Sequence, residues 1–288
     1  MERKVEAVSF DGITVEYSLI GEGEPVLVMH GGHSNCNEEF GYQALVENGF
    51  TVITPSRPGY GRTSKEAGKD LAKACEYYVK LLDHLKLKNV HVLAISAGGP
   101  SGIWLAANYP ERISTLTLQS PVTKEWLKPP DKEYKVARAL FHPKTEKVTW
   151  RLVAALSNLF PRFIFKQMLP SFSKLTYAQA KGQISEDDVD AIRKMNNRQR
   201  SGFGFLLDLA QVNAITSDDL RAITCPTLIM HSKHDRSVPL DHAHYAQEQI
   251  PGSKLCILES WGHLIWLGAS SALTDETVIA FLQSKQRS

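Results

Sequence analysis

Short apolar runs alternate along the chain with segments of helical periodicity. Six such runs occupy residues 25–29, 50–54, 90–95, 113–118, 227–230 and 254–258. Continuous runs of this length are typical of strands buried on both faces of a parallel sheet. Apolar residues spaced three and four apart predict one of the helices between them, and these are Leu71, Cys75, Tyr78, Leu82 and Leu85. The alternation predicts an α/β fold whose mostly parallel central sheet is flanked by helices.

The beginning of the chain has a different pattern. Two partly alternating apolar segments, Val5 to Phe10 and Ile13 to Ile20, are separated only by Asp11-Gly12. An Asp-Gly pair in this position is a strong hairpin signal, because glycine tolerates a positive φ. We therefore predict an antiparallel hairpin before the parallel strands.

One long segment contains no convincing buried strand. Between residues 123 and 223 the pattern is helical, as at Trp150 to Phe160 and Ser185 to Arg200. An independent domain is one interpretation of this segment. We favour a helical cap inserted into the fold, since strand-like runs resume after it. The predicted division is a core formed by residues 1–122 and 224–288, with a cap at residues 123–223.

Composition narrows the possible partners. Hydrophobic residues make up 43% of the 288 residues, and the formal net charge is only +2. A net charge this small does not indicate the clustered basic surface by which proteins bind nucleic acids. No apolar run approaches the 18 residues of a membrane span, and the charged start of the chain lacks a signal-peptide pattern. We expect a cytoplasmic protein, monomeric or homodimeric, with neither a nucleic-acid nor a membrane partner.

The four cysteines do not indicate a metal site or a disulfide framework. They lie at positions 36, 75, 225 and 256, without C-x-x-C or metal-ligand spacing. We interpret all four as reduced thiols and predict no metal site.

Ser96 lies in the most informative segment, Ala94-Ile95-Ser96-Ala97-Gly98-Gly99. A serine between a buried strand and a helix sits on a sharp turn with its Oγ exposed to a reactant. The N–H of Ala97 at the start of the helix would then face a developing oxyanion. A simple helix N-cap is the alternative interpretation of this serine.

Two further segments supply the groups that a nucleophilic serine needs. Asp235 follows the fifth apolar run, and His263 lies in the loop Trp261-Gly262-His263 after the sixth. A serine is a weak nucleophile until a base accepts its proton, and that base needs an orienting acid. All three residues follow predicted parallel strands, so we predict a triad of Ser96, Asp235 and His263.

These motifs resemble those of the α/β-hydrolase fold family, specifically its carboxylesterase-like serine hydrolases. Ser96 matches the nucleophile elbow G-x-S-x-G, except that Ala94 replaces the first glycine. The segment from His231 to Pro239 is similar to the acid loop G-x-x-D-x-x-V/T-P, with His231 in place of glycine. The resemblance covers essentially the whole chain outside the insertion and implies an α/β-hydrolase fold with a helical cap.

The resemblance also assigns roles around the nucleophile. Gly32, in the loop His30-Gly31-Gly32-His33, takes the position of the second oxyanion donor beside Ala97. His33 is either a pocket residue or a solvent-exposed loop residue, and Ile95 is a further candidate substrate contact. Arg57, in a turn similar to D-x-x-G-x-G, is expected to brace the neighbouring loops. No metal or organic cofactor is implied.

The predicted reaction is acyl transfer to water through an acyl-enzyme. The bond cleaved is an ester or a related thioester, lactone or carbon–carbon bond of a small apolar molecule. A small-ligand receptor that retains the triad is the alternative from another class. Candidate pocket-lining side chains from the insertion are Phe141, Trp150, Leu159, Phe160, Phe163, Phe165, Phe203 and Phe205.

Overall fold

A mostly parallel sheet organises the computed structural model, which describes residues 2–127, 129–211 and 213–284. Within those residues the sheet has eight strands in the order β1-β2-β4-β3-β5-β6-β7-β8. The strands are β1 Lys4–Phe10, β2 Ile13–Ile20, β3 Glu24–Met29, β4 Phe50–Pro55, β5 Val90–Ile95, β6 Ile113–Gln119, β7 Thr227–Ser232 and β8 Lys254–Leu258. The six predicted parallel strands are confirmed, with ends shifted by at most two residues.

The predicted hairpin opens the fold. β1 pairs antiparallel with β2, and Phe10 lies opposite Ile13. Asp11 and Gly12 form the turn with φ angles of 52° and 81°, the left-handed region that a two-residue hairpin loop requires. β2 also runs antiparallel to β4, whereas every pairing from β4 to β8 is parallel.

Helices cover both faces of the sheet. Those of the described residues are α1 Tyr42–Glu47, α2 Leu71–His84, α3 Gly99–Asn108, α4 Lys132–Leu140, α5 Glu146–Leu159, α6 Pro161–Phe172, α7 Tyr177–Ala180, α8 Glu186–Arg198, α9 Gly204–Ala210, α10 Ser217–Arg221, α11 Asp241–Gln249 and α12 Ser271–Gln283. Side chains of α2, α3 and α11 form one core cluster, and those of α1 and α12 form another. Every residue of β5 and of β7 is buried between these layers. Among the described residues, no helix is both long and apolar enough to cross a membrane.

The segment between β6 and β7 is helical, from α4 to α10. Its last part packs with the sheet, because Ile215, Leu220 and Ile223 belong to the same core cluster as α2 and α3. Another apolar cluster joins Phe165 and Leu169 of α6 to Trp261, which follows β8. The insertion therefore contacts the ends of the strands, while its precise division from the core stays a prediction.

The turn from β5 into α3 leaves no room for side-chain atoms at Gly98. A Cβ built there would lie 2.3 Å from the carbonyl oxygen of Met29 and 2.8 Å from that of His30. Both carbonyls are backbone atoms at the end of β3, so they move only if the sheet moves. A glycine at this position lets the serine turn and the loop after β3 lie in contact.

We predict that Gly98→Ala destabilises the fold, because its methyl group would overlap backbone atoms. The expected loss of unfolding free energy is about 1–3 kcal/mol. Gly182→Ala is the matched control, since no atom lies within 4 Å of the built Cβ at that site. Thermal unfolding of both variants measures the difference. Equal melting temperatures would contradict the close approach.

Candidate active site

Ser96 occupies a strained turn at the carboxyl end of β5. Its φ is 51°, a conformation that non-glycine residues rarely adopt. A short 3-10 turn, Ser96–Gly98, continues directly into α3. The Ser96 carbonyl accepts a hydrogen bond of 2.9 Å from the N–H of Val122, which follows β6. This is the strand-turn-helix geometry that the sequence predicts for a nucleophile elbow.

Asp235 and His263 form a buried hydrogen-bonded pair at the ends of β7 and β8. The distance from His263 Nδ1 to Asp235 Oδ2 is 2.7 Å, and Asp235 is fully buried. The other carboxylate oxygen accepts a 2.9 Å hydrogen bond from the N–H of Val238. With Nδ1 held in this way, the Nε2 atom of His263 stays available to exchange a proton with another group.

Opposing influences act on the Asp235 carboxyl. Burial favours its neutral form and by itself would raise the pKa. The charge and hydrogen bond of His263, with a second hydrogen bond from His231, outweigh burial and hold the pKa well below its ordinary value. Asp235 is therefore ionised at neutral pH and can stabilise a positive charge on His263.

Ser96 and His263 are both buried but are not bonded to each other. Their exposed fractions are 8% and 6%, and no direct hydrogen bond joins their side chains. Ser120, at the end of β6 between their strands, donates a hydrogen bond of 2.9 Å to the carbonyl of His263. Catalytic hydrogen bonds commonly tighten only when a reactant is bound. The structure thus collects the three predicted residues at one end of the sheet, and their catalytic roles stay a prediction.

The loop after β3 lies against the serine turn. A Cβ built on Gly31 would be 3.4 Å from Ser96 Cβ, and one on Gly32 would be 3.6 Å from Ala97 Cβ. Ala97 is the second residue of the turn that opens α3, so its N–H has no intrahelical acceptor. This contact between loop and turn is consistent with the predicted pairing of the Gly32 and Ala97 N–H groups as an oxyanion hole.

Arg57 braces that loop, as the sequence analysis expected. Its Nε donates to the carbonyl of His30 at 2.7 Å, and Nη2 donates to the carbonyl of Gly31 at 3.1 Å. The same guanidinium binds both carboxylate oxygens of Asp208 in α9, with Nη2 to Oδ2 at 2.8 Å. Tyr60 donates its hydroxyl to Asp208 at 2.5 Å. A buried ion pair therefore connects the cap to the loop that carries Gly32.

His231 is a second histidine on the acid. It is fully buried at the end of β7, and its Nε2 lies 3.2 Å from Asp235 Oδ2 and 2.9 Å from the carbonyl of Val238. In the sequence, His231 is distinguished only as the residue that replaces the glycine of the acid loop. Its four-residue separation from Asp235 carries no signal in a loop, so the contact could not be deduced before the fold was known.

An aromatic cluster lies above the loop after β3. The His33 ring is 3.9 Å from that of Trp150 and 4.9 Å from that of Phe141, measured between centroids. Phe141 in turn lies 4.1 Å from Phe205. A Cβ on Gly32 would be only 2.7 Å from Phe205. Cap side chains thus close over the predicted oxyanion donor.

The other predicted pocket residues lie elsewhere, which corrects the sequence interpretation. Phe165 packs against Trp261 in a separate cluster. Four others are about half exposed or more, and these are Leu159, Phe160, Phe163 and Phe203. Sequence indicates that a helix is apolar but does not fix which of its sides faces the sheet.

His33 and Ile95, the predicted substrate contacts, are both buried. Burial and the nearby charge of Arg200 lower the pKa of His33 to about 3, so its ring is neutral. His33 Nδ1 lies 2.6 Å from Ser201 Oγ, whereas its buried Nε2 has no hydrogen-bond partner. Ile95 is fully buried in the sheet core. The Ile95 side chain therefore packs in the core of the sheet. Of the two predicted substrate contacts, His33 is better placed to contact a substrate, because its Nε2 has no hydrogen-bond partner.

No metal centre is found at this end of the sheet. Within residues 2–127, 129–211 and 213–284, no group of three or more His, Cys, Asp or Glu side chains could hold a metal ion. The four cysteines are free thiols in the structure.

The fold and this arrangement agree with a known family. The family model for the alpha/beta hydrolase fold matches residues 24–269, which include the serine turn, the acid loop and the histidine loop. The chain therefore belongs to the alpha/beta hydrolase fold family, and the class of protein is a hydrolase.

Particular proteins resemble it to different degrees. An uncharacterized hydrolase of Bacillus subtilis (strain 168), YcgS, is 60% identical over 284 residues, which are 99% of this chain and 100% of that protein. A 2-hydroxy-6-oxo-6-phenylhexa-2,4-dienoate hydrolase of Comamonas testosteroni is 24% identical over 90% of this chain and 88% of its own length. The solved structure of an alpha/beta hydrolase fold protein from Nakamurella multipartita has a TM-score of 0.83 at 26% identity, covering 97% of this chain and 99% of that one.

We predict that His231→Leu weakens the depression of the Asp235 pKa, because the carboxylate loses a hydrogen-bond donor. Asp235 has a folded pKa below its unfolded value, so its stabilising contribution is present above about pH 4 and is lost as the pH falls. His231→Gln can still donate and is the matched control.

Urea unfolding of both variants across the acidic range measures this effect. The Leu variant should be the less stable of the two at neutral pH, by about 1–3 kcal/mol. The unfolded chains of the two variants bind the same number of protons, so the difference should shrink only when the pH falls below the folded-state pKa of Asp235 in the Leu variant. A difference that is independent of pH would mean that His231 acts only through packing.

Proposed function

We propose that the protein is a serine hydrolase that cleaves an ester bond of a small apolar molecule, with Ser96 as nucleophile. The observation that carries the proposal is the buried hydrogen bond between Asp235 and His263, formed at the same end of the sheet as the strained Ser96 turn. A serine needs this combination of base and orienting acid to become nucleophilic.

The proposed reaction has two stages. His263 Nε2 accepts the proton of Ser96 Oγ while Oγ attacks the carbonyl carbon, and Asp235 stabilises the imidazolium that forms. The N–H groups of Gly32 and Ala97 stabilise the oxyanion, a contribution typically worth about a hundred- to a thousand-fold in rate for each donor. His263 then protonates the leaving alcohol. Water attacks the acyl-enzyme as His263 accepts its proton, and that proton passes to Ser96 Oγ as the bond to Oγ breaks and the carboxylic acid leaves.

The expected substrate is apolar because of what surrounds the loop after β3. Three of the four rings in the cluster of His33, Phe141, Trp150 and Phe205 are hydrocarbon or indole, and the imidazole of His33 is neutral. Charged acyl groups would lose their hydration among these rings. The unpartnered Nε2 of His33 could hydrogen-bond one polar atom of the substrate.

The first test is hydrolysis of p-nitrophenyl acetate, butyrate and octanoate by the wild-type protein and by Ser96→Ala. We expect many turnovers for the wild type, reduced at least about a thousand-fold in the variant, because Oγ is the attacking atom. Circular dichroism checks that the variant is folded.

Other results would redirect the proposal. Turnover that survives Ser96→Ala would overturn the role of Ser96. The name of the Comamonas relative supports adding its dienoate to the substrate panel. If the folded wild type hydrolyses none of these compounds but binds one of them, a ligand receptor would replace the hydrolase.

We further predict that Phe205→Ala shifts the preference toward longer acyl chains. Removal of the ring opens space directly above Gly32, so kcat/KM for octanoate relative to acetate should rise by about tenfold. Phe203→Ala is the matched control, because that ring is about half exposed and lies outside the cluster. An equal change in both variants would argue against Phe205 as a pocket residue.

A further inference from the structure

Two cap helices expose apolar side chains that no other part of the described chain covers. Val148, Leu152 and Leu159 of α5, with Phe160 and Phe163 at the start of α6, are each more than half exposed. We refer to these five side chains as the apolar cap face. Isolated exposed apolar residues are ordinary, whereas a concentration of large ones marks an interaction surface.

Helical geometry places the α5 members on one side. Val148, Leu152 and Leu159 are separated by four and seven residues, so they project from the same side of the helix. The opposite side of α5 is occupied, because Ala154 and Ser157 are buried. The apolar cap face is therefore the outer side of an amphipathic helix, extended around the corner at Phe160.

The same segment is strongly basic. Residues 144–172 contain five basic side chains, all exposed, which are Lys144, Lys147, Arg151, Arg162 and Lys166. The single acidic residue of this segment is Glu146. It is only 3% exposed and accepts a hydrogen bond from the N–H of Ser201. The segment thus has a formal net charge of +4, whereas the whole chain has +2.

The neighbouring helix α8 cancels only part of this charge. Glu186 forms an ion pair with Arg162 at 2.8 Å. Asp190 binds Arg193 and Lys194 of its own helix. Lys147 and Arg151, one turn apart on α5, have no ion-pair partner among the described residues. They lie directly beside the apolar positions 148 and 152.

We propose that the apolar cap face docks on the surface of an anionic lipid bilayer. The phenylalanine and leucine side chains would enter the boundary between headgroups and acyl chains, while the basic residues contact the lipid phosphates. A second copy of the chain fits less well, because a symmetric contact would place Lys147 and Arg151 against their own counterparts. The inference is independent of the reaction proposed for Ser96.

Surface docking differs from membrane spanning. From the sequence we expect no membrane partner, because the chain has no apolar run long enough to cross a bilayer. A helix that lies in the interface needs only one apolar side with flanking basic residues. The proposal of a membrane surface as partner therefore depends on the exposure of the apolar cap face, which only the structure shows.

Co-sedimentation of the full chain with vesicles tests the proposal. We expect binding to vesicles of phosphatidylcholine with phosphatidylglycerol, little binding to phosphatidylcholine alone, and weaker binding as salt is added. Leu159→Ser should lower the partition coefficient by about tenfold. Its matched control is Leu273→Ser, which alters a leucine on α12 that is 55% exposed, against 70% for Leu159.

A second pair of variants tests the charges. Lys147→Gln should lower the partition coefficient by about fivefold, whereas Lys88→Gln, an exposed lysine outside the cap, should have no effect. Thermal unfolding verifies that all four variants are folded.

Several outcomes would overturn the proposal. These are equal binding to neutral and anionic vesicles, no binding to either, or equal losses in the cap variants and their controls. Light scattering of the same protein preparations without vesicles measures the oligomeric state in parallel. A dimer that Leu159→Ser dissociates, in a protein that does not bind vesicles, would assign the face to a second copy instead.

Discussion

The close contact between the serine turn and the end of β3 is the constraint on which the candidate site depends. Gly98 has no side chain, so the carbonyls of Met29 and His30 lie where a Cβ would otherwise be. That contact fixes the loop bearing Gly32 relative to the helix start bearing Ala97. Donors aimed at one oxygen are effective only when they are held in place before the reaction. The packing of two backbone segments therefore sets the geometry on which the proposed oxyanion hole depends.

The acid and base loops are held by the cap as well as by the sheet. The carbonyl of Phe172 accepts hydrogen bonds from the N–H groups of Arg236 and His263, at 3.2 Å and 2.9 Å. Ser173 forms a β-bridge with Asp235. One residue at the end of α6 thus connects the loop that carries Asp235 with the loop that carries His263. The insertion is part of the site's framework in addition to its cover.

Local patterns predicted the strands, the hairpin and the order of the site residues, because each depends on a few neighbouring side chains. The short buried runs, Asp11-Gly12 and the small residues around Ser96 are examples. Contacts between distant segments could not be predicted. Asp208, the partner of Arg57, lies in a helix whose rotation the sequence does not specify. For the same reason Leu159 and Phe163 were expected in a pocket and instead face outward.

A substitution in one motif illustrates the same limit. Ser56 stands where the resembling family commonly has aspartate, which suggests that a carboxylate is missing from that turn. The structure shows that Glu16 of β2 supplies one, accepting a hydrogen bond of 2.8 Å from Ser56. Glu16 also binds Arg62 at 2.6 Å. A carboxylate therefore lies beside this turn although Ser56 itself carries none, and only three-dimensional proximity reveals this.

The ion pair between Arg57 and Asp208 makes the cap and the loop after β3 a single thermodynamic unit. Any outward displacement of α9 must separate two charges in a poorly hydrated environment, and the same guanidinium also holds the carbonyls of His30 and Gly31. By reciprocity, a ligand whose binding required α9 to move would also change the free energy of the arrangement of this loop. The position of α9 and the position of the loop that carries Gly32 are thus coupled through one side chain.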